Sequence, residues 1–97
     1  MSKIYIAGQV SGLPYEQAME NFKKAEEFLY SRGDTPVNPT KSCDVSWSWK
    51  KCMQTVIPLL VNCDGIYMLK GWKASHGAKL EHFIALKLGL KIELQKQ

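Results

Sequence analysis

Lys3-Ile4-Tyr5-Ile6-Ala7-Gly8-Gln9-Val10-Ser11-Gly12-Leu13-Pro14 is the stretch from which the fold is read. Lys3 to Ala7 is rich in β-branched and aromatic residues and stops at a glycine, which predicts a short buried strand followed by a turn. Pro14 suits the first turn of a helix, where its missing N–H costs nothing. From Tyr15 onward, Ala18, Met19, Phe22, Ala25, Phe28 and Leu29 recur at three- and four-residue steps, the stripe of an amphipathic helix. Gly33 is placed to end that helix in the left-handed conformation. A strand, a glycine-flanked loop and a helix in that order open a β-α-β unit.

Reading outward, Thr35 to Pro39 predicts a second strand, which its two prolines confine to an edge. A polar loop, Thr40 to Ser46, leads into a second helix carrying Trp49, Met53, Val56, Ile57 and Leu60 at helical spacing. Pro58 lies inside it and should kink it or remove one bond. Asp64 to Leu69 predicts the third strand and Gly71 to Ser75 a loop. A third helix runs from about His76 to Leu88, with Leu80, Phe83, Ile84 and Leu88 as its core-facing stripe. Gly89 ends it before a last strand, Leu90 to Leu94. Alternating strands and helices predict an α/β fold, a three-layer α/β/α sandwich around a four-stranded parallel sheet. Right-handed crossovers favour strand order 2-1-3-4, the flavodoxin-like or Rossmann-like arrangement. Ligands of such sheets sit outside the carboxyl ends of the strands. Chemistry is therefore sought in residues 8–12, from Asn38 onward, and in 69–77.

With 97 residues the chain is expected to form a single domain, 1–97. Hydrophobic residues at 45% and charged residues at 23% are ordinary for a globular protein and exclude a disordered or fibrous one. The longest apolar run, Val56 to Val61, contains Pro58 and falls far short of the roughly 20 residues of a spanning helix. No signal-peptide core follows Met1, so a cytoplasmic protein is expected. The net charge of +4 is spread in pairs such as Lys23/Lys24 and Lys50/Lys51, which argues against a nucleic-acid polymer or a membrane as partner. That field suits a small anionic ligand or serves only as solubilising charge. Cys43, Cys52 and Cys63 match no zinc spacing; reduced thiols and no metal are expected. Trp47, Trp49 and Trp72 lie outside the clearest core stripes and suggest an interface, hence a homodimer or higher homo-oligomer.

Two groups of residues carry the candidate chemistry. The loop Gly8-Gln9-Val10-Ser11-Gly12 lies between a strand and a helix start, where backbone N–H groups and the helix dipole favour an anion. It either cradles a phosphate or sugar or merely makes the turn. It is neither a dinucleotide fingerprint nor a P-loop, so no cofactor is expected. The second group is Trp72-Lys73-Ala74-Ser75-His76-Gly77-Ala78-Lys79-Leu80-Glu81. Glu81 shares a helix face with Ala78 and Ala85, and small neighbours around one carboxylate leave space for a ligand. The competing account is a solvated glutamate near a helix N-terminus. A lone carboxylate can act as a general base, or as a nucleophile at a sugar carbon.

Ile4-Tyr5-Ile6-Ala7-Gly8, Cys63-Asp64-Gly65-Ile66-Tyr67-Met68-Leu69, Ser75-x-Gly77-x-x-x-Glu81 and Ala85-x-x-x-Gly89 together resemble the nucleoside 2-deoxyribosyltransferase-like superfamily over nearly the whole chain. Among its members the chain is similar to the deoxynucleoside 5′-monophosphate N-glycosidases. The resemblance implies a reaction at the N-glycosidic bond of a deoxynucleoside or its 5′-monophosphate, by hydrolysis or deoxyribosyl transfer. Glu81 matches the nucleophile that attacks C1′, and Tyr5 the tyrosine that positions it. Ser75 matches a serine on the 5′-phosphate, and Gly8 through Gly12 the loop that cradles it; Gly77 belongs to the same motif. Asn38 and Trp72 are placed to permit base or sugar contact. Val56 stands where active members carry a second carboxylate, and Asp64, at the start of its strand, is expected to cap backbone rather than replace it. The alternative is a non-catalytic protein that sequesters or senses a nucleotide.

Overall fold

The computed structural model describes residues 2–96. The strands are β1 (Lys3–Ala7), β2 (Thr35–Val37), β3 (Gly65–Met68) and β4 (Lys91–Leu94); the helices are α1 (Tyr15–Ser31), α2 (Trp49–Val61) and α3 (His76–Leu88). Short 3₁₀ turns at Pro39–Lys41 and Trp72–Ala74 lie in the loops that follow β2 and β3. All strand pairs are parallel, in the order β2-β1-β3-β4, as the element order predicts. Tyr5 pairs with Val37 on one side and Ile66 on the other.

Period-two alternation sorts the sheet into two cores. Ile4, Ile6, Tyr67 and Leu69 face α1 and pack with Phe22, Ala25 and Leu29. Tyr5, Ala7, Ile66 and Met68 face α2 and α3 and pack with Met53, Val56, Leu60, Ala78 and Ala85. The chain turns one way from β1 to β2 and the other way from β2 to β3, so right-handed crossovers put α1 and the α2–α3 pair on opposite faces.

Local signals explain the boundaries. Ser48 Oγ accepts from the Lys51 N–H and Ser75 Oγ from the Ala78 N–H, both at 3.1 Å, which caps α2 and α3. Gly89, at φ 73°, closes α3. Pro58 sits inside α2 without ending it. The Asp64 carboxylate accepts from the Lys3 N–H at 2.8 Å, at the amino end of the sheet.

Two expectations are corrected. The core-facing stripe of α3 is Ala78, Glu81 and Ala85, not Leu80, Phe83, Ile84 and Leu88. Phe83 and Leu88 are 55% and 53% exposed, while Leu80 and Ile84 pack half-buried at the margin of the core. Small residues let α3 approach α2 and the sheet closely, so its bulkier apolar side chains are turned to the flank. Second, Cys43 and Cys52 are joined in a disulfide instead of remaining reduced. The loop before α2 folds back over its first turns and brings the two Cα atoms to 5.5 Å, within disulfide range. Cys63 stays unpaired and buried.

Candidate active site

The inward alternation of β1 aims Tyr5 at α3, and the Ala78–Glu81–Ala85 face of α3 aims Glu81 back. Tyr5 is fully buried and Glu81 is 6% exposed, the one charged side chain buried among the described residues. The Tyr5 hydroxyl donates a hydrogen bond to Glu81 Oε2. No buried side-chain oxygen among the described residues lacks a partner, so the second Glu81 oxygen, which none of the hydrogen bonds uses, is the one open to solvent. Burial pushes the Glu81 carboxyl up to about 7, against the opposing pull of the Tyr5 hydrogen bond. The Tyr5 phenol is raised by burial first and by the Glu81 charge second, so it stays a donor.

Above this pair lies a cavity of about 510 Å³. Gly8, Val10 and Ser11 form one wall after β1, with Tyr15 and Met19 of α1 beside them. Ser75, His76, Gly77 and Lys79 form a second wall at the start of α3. The third wall is the segment between β2 and α2, supplying Thr40, Asp44, Val45, Trp47, Ser48 and Trp49, continued by Met53 and Val56 of α2. The open sheet therefore places its cavity beyond the carboxyl end of β1, as its topology requires.

Tyr5, Gly8, Val10, Ser11, Ser75, Gly77 and Glu81 thus share one cavity. Gln9, Gly12, Asn38 and Trp72 do not line it. Gln9 Nε2 instead donates to the Ser11 carbonyl at 3.0 Å and shapes the loop from outside. Gly12, at φ 90°, turns the chain toward α1. Asn38 Oδ1 accepts from the Thr40 N–H at 3.0 Å and its hydroxyl at 2.6 Å, which spends it on capping the 3₁₀ turn. Trp72 stacks on His82 with ring centroids 4.5 Å apart.

The sequence places this third wall only as the segment from Asn38 onward and assigns none of its lining residues beyond Asn38, which does not line the cavity. Trp47 and Trp49, which lie off the clearest core stripes, line the cavity. Lys51 Nζ sits 4.3 Å from the Trp47 ring centroid, and the Trp49 ring lies 6.2 Å from that of His76. Val56, 1% exposed, puts a methyl surface in the wall. The other carboxylate of the lining is Asp44, held below its ordinary range by hydrogen bonds from the Ser46 hydroxyl and N–H. Among the described residues no three His, Cys, Asp or Glu side chains are grouped to hold a metal ion, and no helix is long and apolar enough to cross a membrane.

Gly8 is sterically required where the loop leaves β1. A Cβ there would lie 2.6 Å from Leu69 Cδ1 and 2.9 Å from Leu69 Cβ. Gly8→Ala is therefore expected to destabilise the protein by about 1–3 kcal/mol through overpacking, read as a Tm lowered by several degrees in a thermal melt. An unchanged Tm would mean that the loop yields freely.

A family model described as a domain of unknown function (DUF4406) matches residues 2–94. No curated protein matches the sequence. Among solved structures, the chain is similar to a 2-deoxyribosyltransferase from the psychrotolerant bacterium Bacillus psychrosaccharolyticus, with a TM-score of 0.75 and 21% identity over 95% of this chain and 70% of that one. A CMP N-glycosidase from Clostridium botulinum matches with a TM-score of 0.66 and 21% identity, over 95% of this chain and 66% of that one. A 2-deoxyribosyltransferase from Leishmania mexicana matches with a TM-score of 0.74 and 18% identity, over 97% and 63%. The fold is thus the nucleoside deoxyribosyltransferase-like one, and the chain spans 63% to 70% of the length of these three structures.

Proposed function

The chain belongs to the family described as a domain of unknown function (DUF4406), and we propose that it breaks the N-glycosidic bond of a deoxynucleoside 5′-monophosphate, with Glu81 as nucleophile. The observation that carries this reading is the Tyr5–Glu81 pair: a buried carboxylate, fixed by a phenol through one oxygen and open to a cavity through the other.

In this mechanism the open oxygen of ionised Glu81 attacks C1′ while the bond from C1′ to the base nitrogen breaks, and the electron pair leaves with the base. Water, or the nitrogen of a second base, then displaces Glu81 from C1′, giving hydrolysis or transfer respectively. Tyr5 keeps donating to Oε2 throughout and holds the carboxylate plane toward the sugar. Donors for the phosphate are at hand in the Gly8–Ser11 loop, the Ser75 hydroxyl and the start of α3, with Lys79 and His76 beside them. Trp47 and Trp49 offer aromatic surface in the cavity for the base. The relatives of similar structure named for deoxyribosyl transfer and for CMP N-glycoside cleavage support the reading.

Incubating the protein with each deoxynucleoside and each deoxynucleoside 5′-monophosphate, and measuring released base by chromatography, tests it. Release of base from at least one substrate is expected. No release from any of them would reject it.

A second reading, nucleotide binding without turnover, is favoured by one observation. Val56 places an apolar side chain in the wall, at the position where the sequence resemblance implies a second carboxylate, so Val56 itself offers the departing base no proton. A pure binder would show ligand-dependent thermal stabilisation, worth about 2.7 kcal/mol at 100-fold excess over Kd, with no base released over hours. Val56→Asp discriminates further. A carboxyl buried at that position would hold its proton to higher pH, and general acid help is worth roughly 10²- to 10⁴-fold. The expected outcome is faster base release together with a lower Tm, because the new acid is buried. No gain in rate with nucleotide affinity unchanged would show that a proton at this position is not what limits the reaction.

A further inference from the structure

The segment that walls one side of the cavity has no regular secondary structure between the 3₁₀ turn ending at Lys41 and the start of α2 at Trp49. It presents Asp44, Val45, Trp47 and Trp49 to the cavity, and most of these side chains are largely exposed. Its non-covalent ties are few: the Asp44–Ser46 turn with the Trp47 N–H on the Asp44 carbonyl, the Ser42 N–H on the Pro39 carbonyl, the Ser48 cap, the Lys51 ammonium over Trp47 and the Trp49 ring beside His76. The Cys43–Cys52 bond spans this segment and anchors it to α2. Both cysteines themselves line the cavity and are half-buried, so a small thiol can reach the bond from the ligand side.

We propose that Cys43 and Cys52 form a reversible thiol–disulfide site whose oxidised form keeps this cavity wall ordered and whose reduced form releases it. The co-reactant is a small dithiol or a pair of thiols. Its thiolate attacks one sulfur of the Cys43–Cys52 bond and forms a mixed disulfide. The second thiolate then displaces the protein sulfur, so the co-reactant leaves as a disulfide and the protein gains two electrons and two protons as two thiols. Cutting the link restores conformational freedom to a loop with few other ties, and a wall that must be ordered at the moment of binding lowers affinity by the same factor. Cys63 takes no part. It is buried, its thiol donates to the Leu59 carbonyl at 3.2 Å, and burial pushes its ionisation up. The ligand arm of the test rests on the function proposed above; the ordering arm does not.

The experiment compares the air-oxidised full chain with the same protein in dithiothreitol, by thiol counting and by amide hydrogen exchange. One titratable thiol under denaturing conditions is expected before reduction and three after it. Exchange across residues 42–50 should rise at least about tenfold on reduction, while β1 and β3 are unchanged. Cys43→Ser with Cys52→Ser should match the reduced protein whatever the redox state, and Cys63→Ser should keep the full response. The four deoxynucleoside 5′-monophosphates serve as ligand probes, and the one that binds should weaken at least about fivefold on reduction and recover with oxidised glutathione. Three titratable thiols before reduction, or equal exchange in both states, would overturn the proposal. So would a nucleotide that binds both forms equally. If no nucleotide binds either form while exchange responds as described, the thiol site stands and the proposed function falls.

Discussion

Glu81→Gln is expected to reduce base release by at least about 10³-fold while leaving nucleotide affinity within a few-fold. An amide oxygen still accepts the Tyr5 hydrogen bond, so the site keeps its shape, but the nitrogen turned to the cavity cannot attack C1′. The wild-type rate should itself depend on pH through this residue. Glu81 must be ionised to attack, and its carboxyl is held up to about 7 by burial. For the unliganded protein kcat/KM should therefore climb tenfold per pH unit below about 7 and level off above it. A rate that survives Glu81→Gln unchanged, or a profile flat from pH 5 to 8, would remove Glu81 from the mechanism.

The same substitution should make the protein more stable above pH 7, an effect opposite in sign to its effect on turnover. The folded Glu81 carboxyl releases its proton at about 7 and an ordinary glutamate at 4.5. Between these values the folded state holds a proton that the unfolded state has lost, so stability falls as pH rises through the window. Below about pH 4.5 both states are protonated and no cost is present. Above about pH 7 the cost is complete, about 3 kcal/mol at 1.36 kcal/mol per unit. Glutamine carries no charge at any pH and escapes it. Denaturant titrations of wild type and Glu81→Gln should coincide near pH 4.5 and separate by about 3 kcal/mol at pH 8, with the variant more stable. Glu81→Ala would not serve as well, because it leaves the buried Tyr5 hydroxyl without its acceptor and adds a cavity. Wild type more stable than Glu81→Gln at pH 8, with the gap closing toward low pH, would mean that Glu81 is stabilised as a charge, and would contradict the upward shift that burial gives its carboxyl.

The two predictions together describe a residue whose burial opposes stability and serves the proposed chemistry. Raising the carboxyl toward neutrality costs folding free energy, and it also leaves the attacking oxygen poorly solvated. Strongly shifted groups in clefts are often found at functional sites for this reason. Tyr5 limits the cost by supplying one strong donor, and it does so from the centre of the sheet, where its backbone is fixed by strands on both sides.

Much of this molecule was legible in its sequence because the relevant signals are local. Lys3–Ala7 is a short run of β-favouring residues closed by a glycine, α1 carries a clear apolar stripe, and Gly89 marks the end of α3 through capping chemistry confined to a few neighbouring residues. Element order and the handedness of crossovers then leave few topologies, and the observed β2-β1-β3-β4 is the one they favour. The face of α3 was not legible. Its apolar residues, Leu80, Phe83, Ile84 and Leu88, have the spacing of a buried stripe, yet close approach to α2 and β1 selected the small residues Ala78 and Ala85 and turned Phe83 and Leu88 outward. That choice depends on the distance between helices, which no pattern within one helix encodes. The Cys43–Cys52 pairing and the wall carrying Asp44, Trp47 and Trp49 were decided the same way, by a loop folding back on the next helix. The sequence by itself determined which segments are strands and helices and in what order they pack, since those follow from interactions between near neighbours. Only the tertiary structure decided what faces the cavity, because residues 5, 44, 56 and 81 meet through contacts between segments that are distant along the chain.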